Sequence, residues 1–203
     1  TLSAPPQPPV LATPNDASHG VSISPVLSWT ASPGATNHEL QFSEVADFST
    51  LIEDLWVGGL SYSLSGLQNF KTYYWRVKAM NAGGVGDWSP TRSFTTILAS
   101  PALLAPSDGG TGTSTSPQLQ WGGVGPAMSY TLQVSTGADF SSFVVNQTGI
   151  TSNTFSLSGL ANNRRHYWRV RAVHSFGTSE WSSVFWFHPI EPPSAPTVLS
   201  PAH

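Results

Sequence analysis

The chain has 203 residues, only 9% of them charged, and a formal net charge of −3. Eight lysines and arginines give no cationic footprint for a nucleic-acid backbone, which argues against that partner. No run of about 18 apolar residues is present to build a membrane-spanning helix, so no membrane insertion is expected. Cysteine is absent, which removes disulfides and thiolate chemistry and fits an exported bacterial protein.

Residues 1–8 form a Pro-rich lead-in expected to be extended. Period-two alternation then predicts strands near 9–13, 25–30, 37–43, 50–54, 61–65, 72–81 and 91–96. A second set follows near 102–105, 118–121, 129–135, 142–146, 154–158, 165–174 and 183–188. Turn residues separate them, among them Ser32-Pro33-Gly34, Gly58-Gly59, Asn81-Ala82-Gly83-Gly84 and Gly122-Gly123. Seven short strands in about 90 residues indicate a β-sandwich, so the fold class is all-β with two tandem sandwiches.

The two sets are copies of one unit. Tyr74-Trp75-Arg76-Val77-Lys78-Ala79 returns 93 residues later as Tyr167-Trp168-Arg169-Val170-Arg171-Ala172. Trp29 and Trp121, Trp88 and Trp181, and Phe94 and Phe187 keep nearly the same spacing. A repeat of this length is a whole domain rather than a solenoid turn. The predicted boundaries are 9–97 for domain one, 98–100 for a linker, 101–190 for domain two, and 191–203 for a linker with the start of a third copy. The opening Pro9-Val10-Leu11-Ala12-Thr13-Pro14, repeated as Pro101-Ala102-Leu103-Leu104-Ala105-Pro106, appears a third time as Pro196, Thr197, Val198, Leu199, Ser200 and Pro201. That segment is expected either to continue an array or to donate a strand to a neighbouring molecule. The start at Thr1 without a signal sequence fits a removed signal or a piece of a longer protein.

On the long sixth strand, alternation sends Tyr73, Trp75, Val77 and Ala79 to the core. Tyr74, Arg76, Lys78 and Met80 go to the opposite face. Leu27 and Trp29 are expected to meet the first set, as are Leu119 and Trp121 in the second copy.

These residues resemble tandem fibronectin type III domains of the bacterial extracellular type. The family pattern Leu-x-Pro-x-Thr-x-Tyr-x-x-x-Val-x-Ala-x-Asn lines up with Leu67, Tyr73, Val77, Ala79 and Asn81, with Asn69 and Lys71 replacing its Pro and Thr. Leu27-x-Trp29, Trp88-Ser89 and Phe94-Thr95 are similar to its second-strand and last-strand signatures. Copy two matches at Leu160, Val170, Ala172, Trp181-Ser182 and Phe187, but His166 replaces the tyrosine-corner Tyr. The resemblance implies the fold strongly and function weakly.

No catalytic constellation is read. There is no Gly-x-Ser-x-Gly elbow, and His19, His38, His166, His174 and His188 are scattered over different elements. Neither clustered ligands nor a calcium loop are present, so no metal or cofactor is expected. The Arg-Gly-Asp tripeptide of adhesive relatives is missing, and each Trp-Ser pair is half of the cytokine-receptor motif. Asp47-Phe48-Ser49 and Asp139-Phe140-Ser141 read as an Asp turn followed by a core Phe. Arg164, Arg165, Arg169 and Arg171 read as a solvated strand face and turn. Trp56 and Trp186 lack counterparts in the other copy and are the candidate ligand or contact aromatics. Alternation places Trp186 outward between Phe185 and Phe187.

The expected function is a non-enzymatic structural or adhesive spacer, extracellular or at the cell surface, in a secreted or surface multidomain protein. Its expected partner is a protein or polysaccharide there. The alternatives are a carbohydrate-binding pair attached to a secreted hydrolase, and a self-associating filament subunit using residues 196–200.

Overall fold

The computed structural model describes residues 3–190. The proposed strand-donating segment, Pro196 to Ser200, lies outside them. The chain separates into two compact units, residues 3–99 together with Ser175–Ser179, and residues 100–174 together with 180–190, and each is taken by itself.

In the first, β1 (Leu11–Thr13), β3 (Val26–Trp29) and β6 (Ser61–Ser63) form the smaller sheet in the order β1-β3-β6. The larger sheet runs β2-β9-β7-β4-β5. Its strands are β2 (Ser18–Val21), β9 (Arg92–Thr96), β7 (Thr72–Asn81), β4 (Asn37–Ser43) and β5 (Glu53–Val57). The two-residue β8 (Gly84–Val85) pairs with the end of β7.

The second unit repeats this plan. Its smaller sheet is β10 (Leu103–Ala105), β12 (Gln118–Trp121) and β15 (Thr154–Ser156). Its larger sheet orders β11 (Gly110–Thr113), β18 (Phe185–Pro189), β16 (His166–His174), β13 (Ser129–Ser135) and β14 (Val145–Ile150). β17 (Gly177–Thr178) extends the end of β16.

Each unit therefore has two segments beyond the seven predicted. The first strand is broken. After Pro14 or Pro106, which cannot donate to a ladder, the chain crosses to the larger sheet and runs parallel to the last strand as β2 or β11. Both segments are rich in Gly, Ser and Thr, so alternation gave no sign of them. The fourth strand is also displaced, to 53–57 from the predicted 50–54 and to 145–150 from 142–146. The apolar pairs Leu51-Ile52 and Phe143-Val144 that suggested the earlier start are exposed residues of the preceding turn.

The core follows the predicted register. Trp75, Val77 and Ala79 on β7 are fully buried, as are Trp168, Val170 and Ala172 on β16. Leu27 and Trp29 join the first cluster from the smaller sheet, with Leu40, Phe42 and Phe94 from the larger one. Fully burying one such side chain stabilises a domain by roughly 1.5–3 kcal/mol. The lead-in is held in place. Asn81 Nδ2 donates to the Ala4 carbonyl at 2.9 Å, and the backbone of Ser3 and Pro6 approaches Gly83 and Gly86 so closely that no Cβ fits there.

Candidate functional site

The larger sheet of each unit presents an outer face whose aromatic and cationic side chains interlock. On β7, Arg76 and Lys78 alternate outward from the buried Trp75 and Val77. The Arg76 guanidinium lies 4.0 Å from the centre of the Phe48 ring and 4.5 Å from that of Trp88. Lys78 Nζ sits 4.2 Å from the Trp88 ring centre and 3.0 Å from Glu39 Oε2. Arg76 also donates from Nε and Nη2 to Gln41 Oε1 at 3.0 and 2.7 Å. The result is a ladder from Phe48 through Arg76, Trp88 and Lys78 to Glu39.

Two local devices aim the rings. Ser89 takes the place of a strand residue: its N–H donates to the Val77 carbonyl, and its Oγ accepts from Val77 N–H at 3.1 Å. Trp88 is thereby turned back across β7. Phe48 has a positive φ of 58°, a costly conformation for a bulky residue. It follows a turn in which Asp47 Oδ1 accepts from the Ser49 N–H, and that bond holds the carboxyl below the usual carboxylate range. The expected turn is thus present, but Phe48 is no part of the inter-sheet core. It is buried on the outer face beneath Arg76.

The second unit builds the same ladder from Phe140, Arg169, Trp181 and Arg171, with ring-centre distances of 4.0, 4.5 and 4.7 Å. Ser182 docks on Val170 as Ser89 does on Val77. The expectation of a merely solvated arginine face is corrected: three of the four arginines lie over aromatic rings. Charge patterning alone missed this, although the repeated Trp88 and Trp181 beside outward cations were a readable signal.

Trp56 is 45% exposed on the edge strand β5, opposite Glu39 and next but one to Asp54. Trp186 faces outward on β18, as alternation predicts, but Arg165 covers its ring at 4.0 Å, and the Gly109 backbone, whose N–H donates to the Trp186 carbonyl at 2.9 Å, lies beside it. The two tryptophans belong to different units. A shallow cleft of about 270 Å³ in the first unit is lined by Pro8, Pro9, Leu11, Pro90 and Arg92. Arg92 spends its Nη1 on the Ala12 and Pro14 carbonyls.

The histidines do not converge. His38 and His166 are buried in separate units, and burial pushes both below the ordinary histidine value. Neither ring nitrogen of His38 has a hydrogen bond of good geometry, and the Gly59 and Val57 carbonyls nearby offset the effect only in part. Among the described residues, no group of three His or carboxylate side chains could hold a metal ion.

Tyr73 completes the comparison with the family pattern: its hydroxyl accepts from the Gln68 N–H at 3.0 Å, the bond of a tyrosine corner. Both domains are two-sheet β-sandwiches with the same strand order, of the fibronectin type III-like kind. In the second domain His166 instead uses Nδ1 on the Arg164 carbonyl at 2.8 Å. No family model matches the chain. Among solved structures it is similar to the crystal structure of the FN1–FN3 domains of chicken CNTN1. The TM-score is 0.43 at 17% identity, over 93% of this chain and 67% of that one.

Proposed function

We propose that the chain is a non-catalytic structural module, a spacer of an extracellular or cell-surface protein. The supporting observation is the duplicated ladder. In both domains the outward aromatics and the cations of the long strand are committed to one another, in nearly the same geometry, instead of converging on an open pocket. Such a face clamps the long central strand of the sheet to the turn that carries Phe48 or Phe140. That suits a domain whose task is to stay folded while holding its neighbours apart. Single-molecule extension of the chain tests this. Two separate unfolding events are expected, each releasing roughly 30 nm, the extended length of about 90 residues. A smooth extension with no force peaks would refute a mechanical role.

A second reading rests on Trp56. Its exposed ring next to Glu39 and Asp54 offers a stacking plane with hydrogen-bonding neighbours, as a neutral sugar requires. A tryptophan-fluorescence shift with neutral oligosaccharides, abolished by Trp56→Ala, is the expected sign. No shift across a broad panel would remove this reading.

A further inference from the structure

In the first domain two cations of this region are neutralised internally. Lys78 pairs with Glu39 and Lys71 with Glu44, each at 3.0 Å. The second domain keeps the cations and lacks the anions. Arg171 stands at the position of Lys78 and Arg164 at that of Lys71, whereas Thr131 and Thr136 stand where the glutamates would be. Arg165 is an added cation where the first domain has Thr72. Among the described residues, no carboxylate pairs with any of the four arginines.

Neutral groups serve instead. Arg164 Nη2 donates to Thr136 Oγ1 at 3.2 Å, and Arg169 Nε donates to Gln133 Oε1 at 2.9 Å. The Nε of Arg171 is buried with no hydrogen-bond partner. Burial, and then repulsion from Arg171, pull the Arg169 guanidinium below its ordinary value. Partly desolvated like charges side by side are unfavourable until an anion reaches them.

We propose that Arg164, Arg165, Arg169 and Arg171 form a binding face for a carboxylate-bearing polysaccharide. Its carboxylates fill the places that Glu39 and Glu44 occupy in the first domain. This goes beyond the structural role and does not depend on Trp56. Arg169 and Arg171 share one face of β16, and Arg165 immediately precedes that strand at the same alternation. At about 3.3 Å per residue their backbones span roughly 20 Å, a length suited to a repeating polyanion rather than a single small anion. The rings here are already covered by guanidinium groups, so recognition runs through N–H donors, which fit carboxylates in forked pairs. Acidic groups of a second copy fit less well, because most of those of the first domain are engaged, and the exposed Asp87 is a single carboxylate against four arginines. Asp47 is bound in its own turn, Asp54 accepts from Gln41, and Glu53 faces the Tyr62 hydroxyl. Four arginines on one face are few for a nucleic-acid backbone, whose binders neutralise many phosphates at once.

The test is affinity electrophoresis of the full 203-residue chain through polygalacturonate, with uncharged dextran as control. Retention by polygalacturonate alone is expected at about 20 mM salt and loss of it at about 500 mM. Thr131→Glu with Thr136→Glu, which restores the internal anions, should weaken retention about tenfold or more, the worth of a charge-assisted hydrogen bond. Arg164→Gln with Arg165→Gln alters only exposed side chains and should act in the same direction even if the first pair disturbs folding. Trp56→Ala should leave retention unchanged. Equal retention by dextran, no retention at low salt, or full retention in the Arg164→Gln, Arg165→Gln chain would overturn the proposal. So would salt-sensitive self-association in sedimentation without polygalacturonate uptake, since a second copy would then own the face.

Discussion

Replacing Arg76 with alanine removes the central rung of the first domain's ladder without touching the inter-sheet core. Two rings lose a guanidinium at 4.0 and 4.5 Å. At a half-buried site each such contact is worth about 1 kcal/mol. Gln41 loses a charged double donor, worth about 1.5–3 kcal/mol. The truncated chain no longer orders an arginine, which returns up to about 2 kcal/mol. The net expected loss is roughly 1.5–3 kcal/mol, or roughly 6–24 °C in the melting temperature of a domain this size. Denaturant unfolding followed by Trp fluorescence measures it. The cycle with Phe48→Ala should show a coupling of about 1 kcal/mol, because the two groups share one contact. A loss below about 0.5 kcal/mol, ordinary for a surface substitution, would refute the ladder as a structural element.

Trp29→Ala and Trp121→Ala should each cost about 3–5 kcal/mol and unfold only their own domain, seen as the loss of one of two calorimetric transitions. Stability should also fall with acid. His38 and His166 stay neutral in the folded state below the pH at which the unfolded chain protonates them, near 6.5. Stability is therefore full above that pH and declines below it, by up to about 1.4 kcal/mol per pH unit per histidine, until the folded-state values are reached. His38→Tyr, which installs the residue found at Tyr130 in the second domain, should remove that slope from the first domain alone. Tyr73→Phe should cost about 1 kcal/mol through the lost corner bond, measured by urea midpoint. Gly86→Ala should displace the lead-in, detected as faster proteolysis near Pro6, because a Cβ there meets the Pro6 backbone.

The sandwiches were legible because their cores obey simple alternation. Strands 37–43, 72–81, 118–121 and 129–135 fall where period two places them. Gly, Ser and Thr segments such as Ser18–Val21 and Gly110–Thr113 carry no apolar signal. They become strands only because the chain passes beside an unpaired edge of the last strand. Leu51 and Ile52 misled for the opposite reason, being apolar yet exposed. The outer face was half legible. Alternation put Arg76 and Lys78 outward together, but nothing local shows that Trp88 folds back over them, since that follows from Ser89 docking on Val77. The contrast between Trp56 and Trp186 depends on Arg165 and Gly109, which only the fold brings to Trp186.

The most direct measurement is extension of single chains carrying Arg76→Ala or Arg169→Ala beside the unaltered chain. If the ladders fit these domains for a load-holding role, the unaltered chain shows two force peaks, and each substitution lowers the peak of its own domain. Unchanged peaks in both variants would contradict it, and the outer faces would then have to serve something other than holding the domains together.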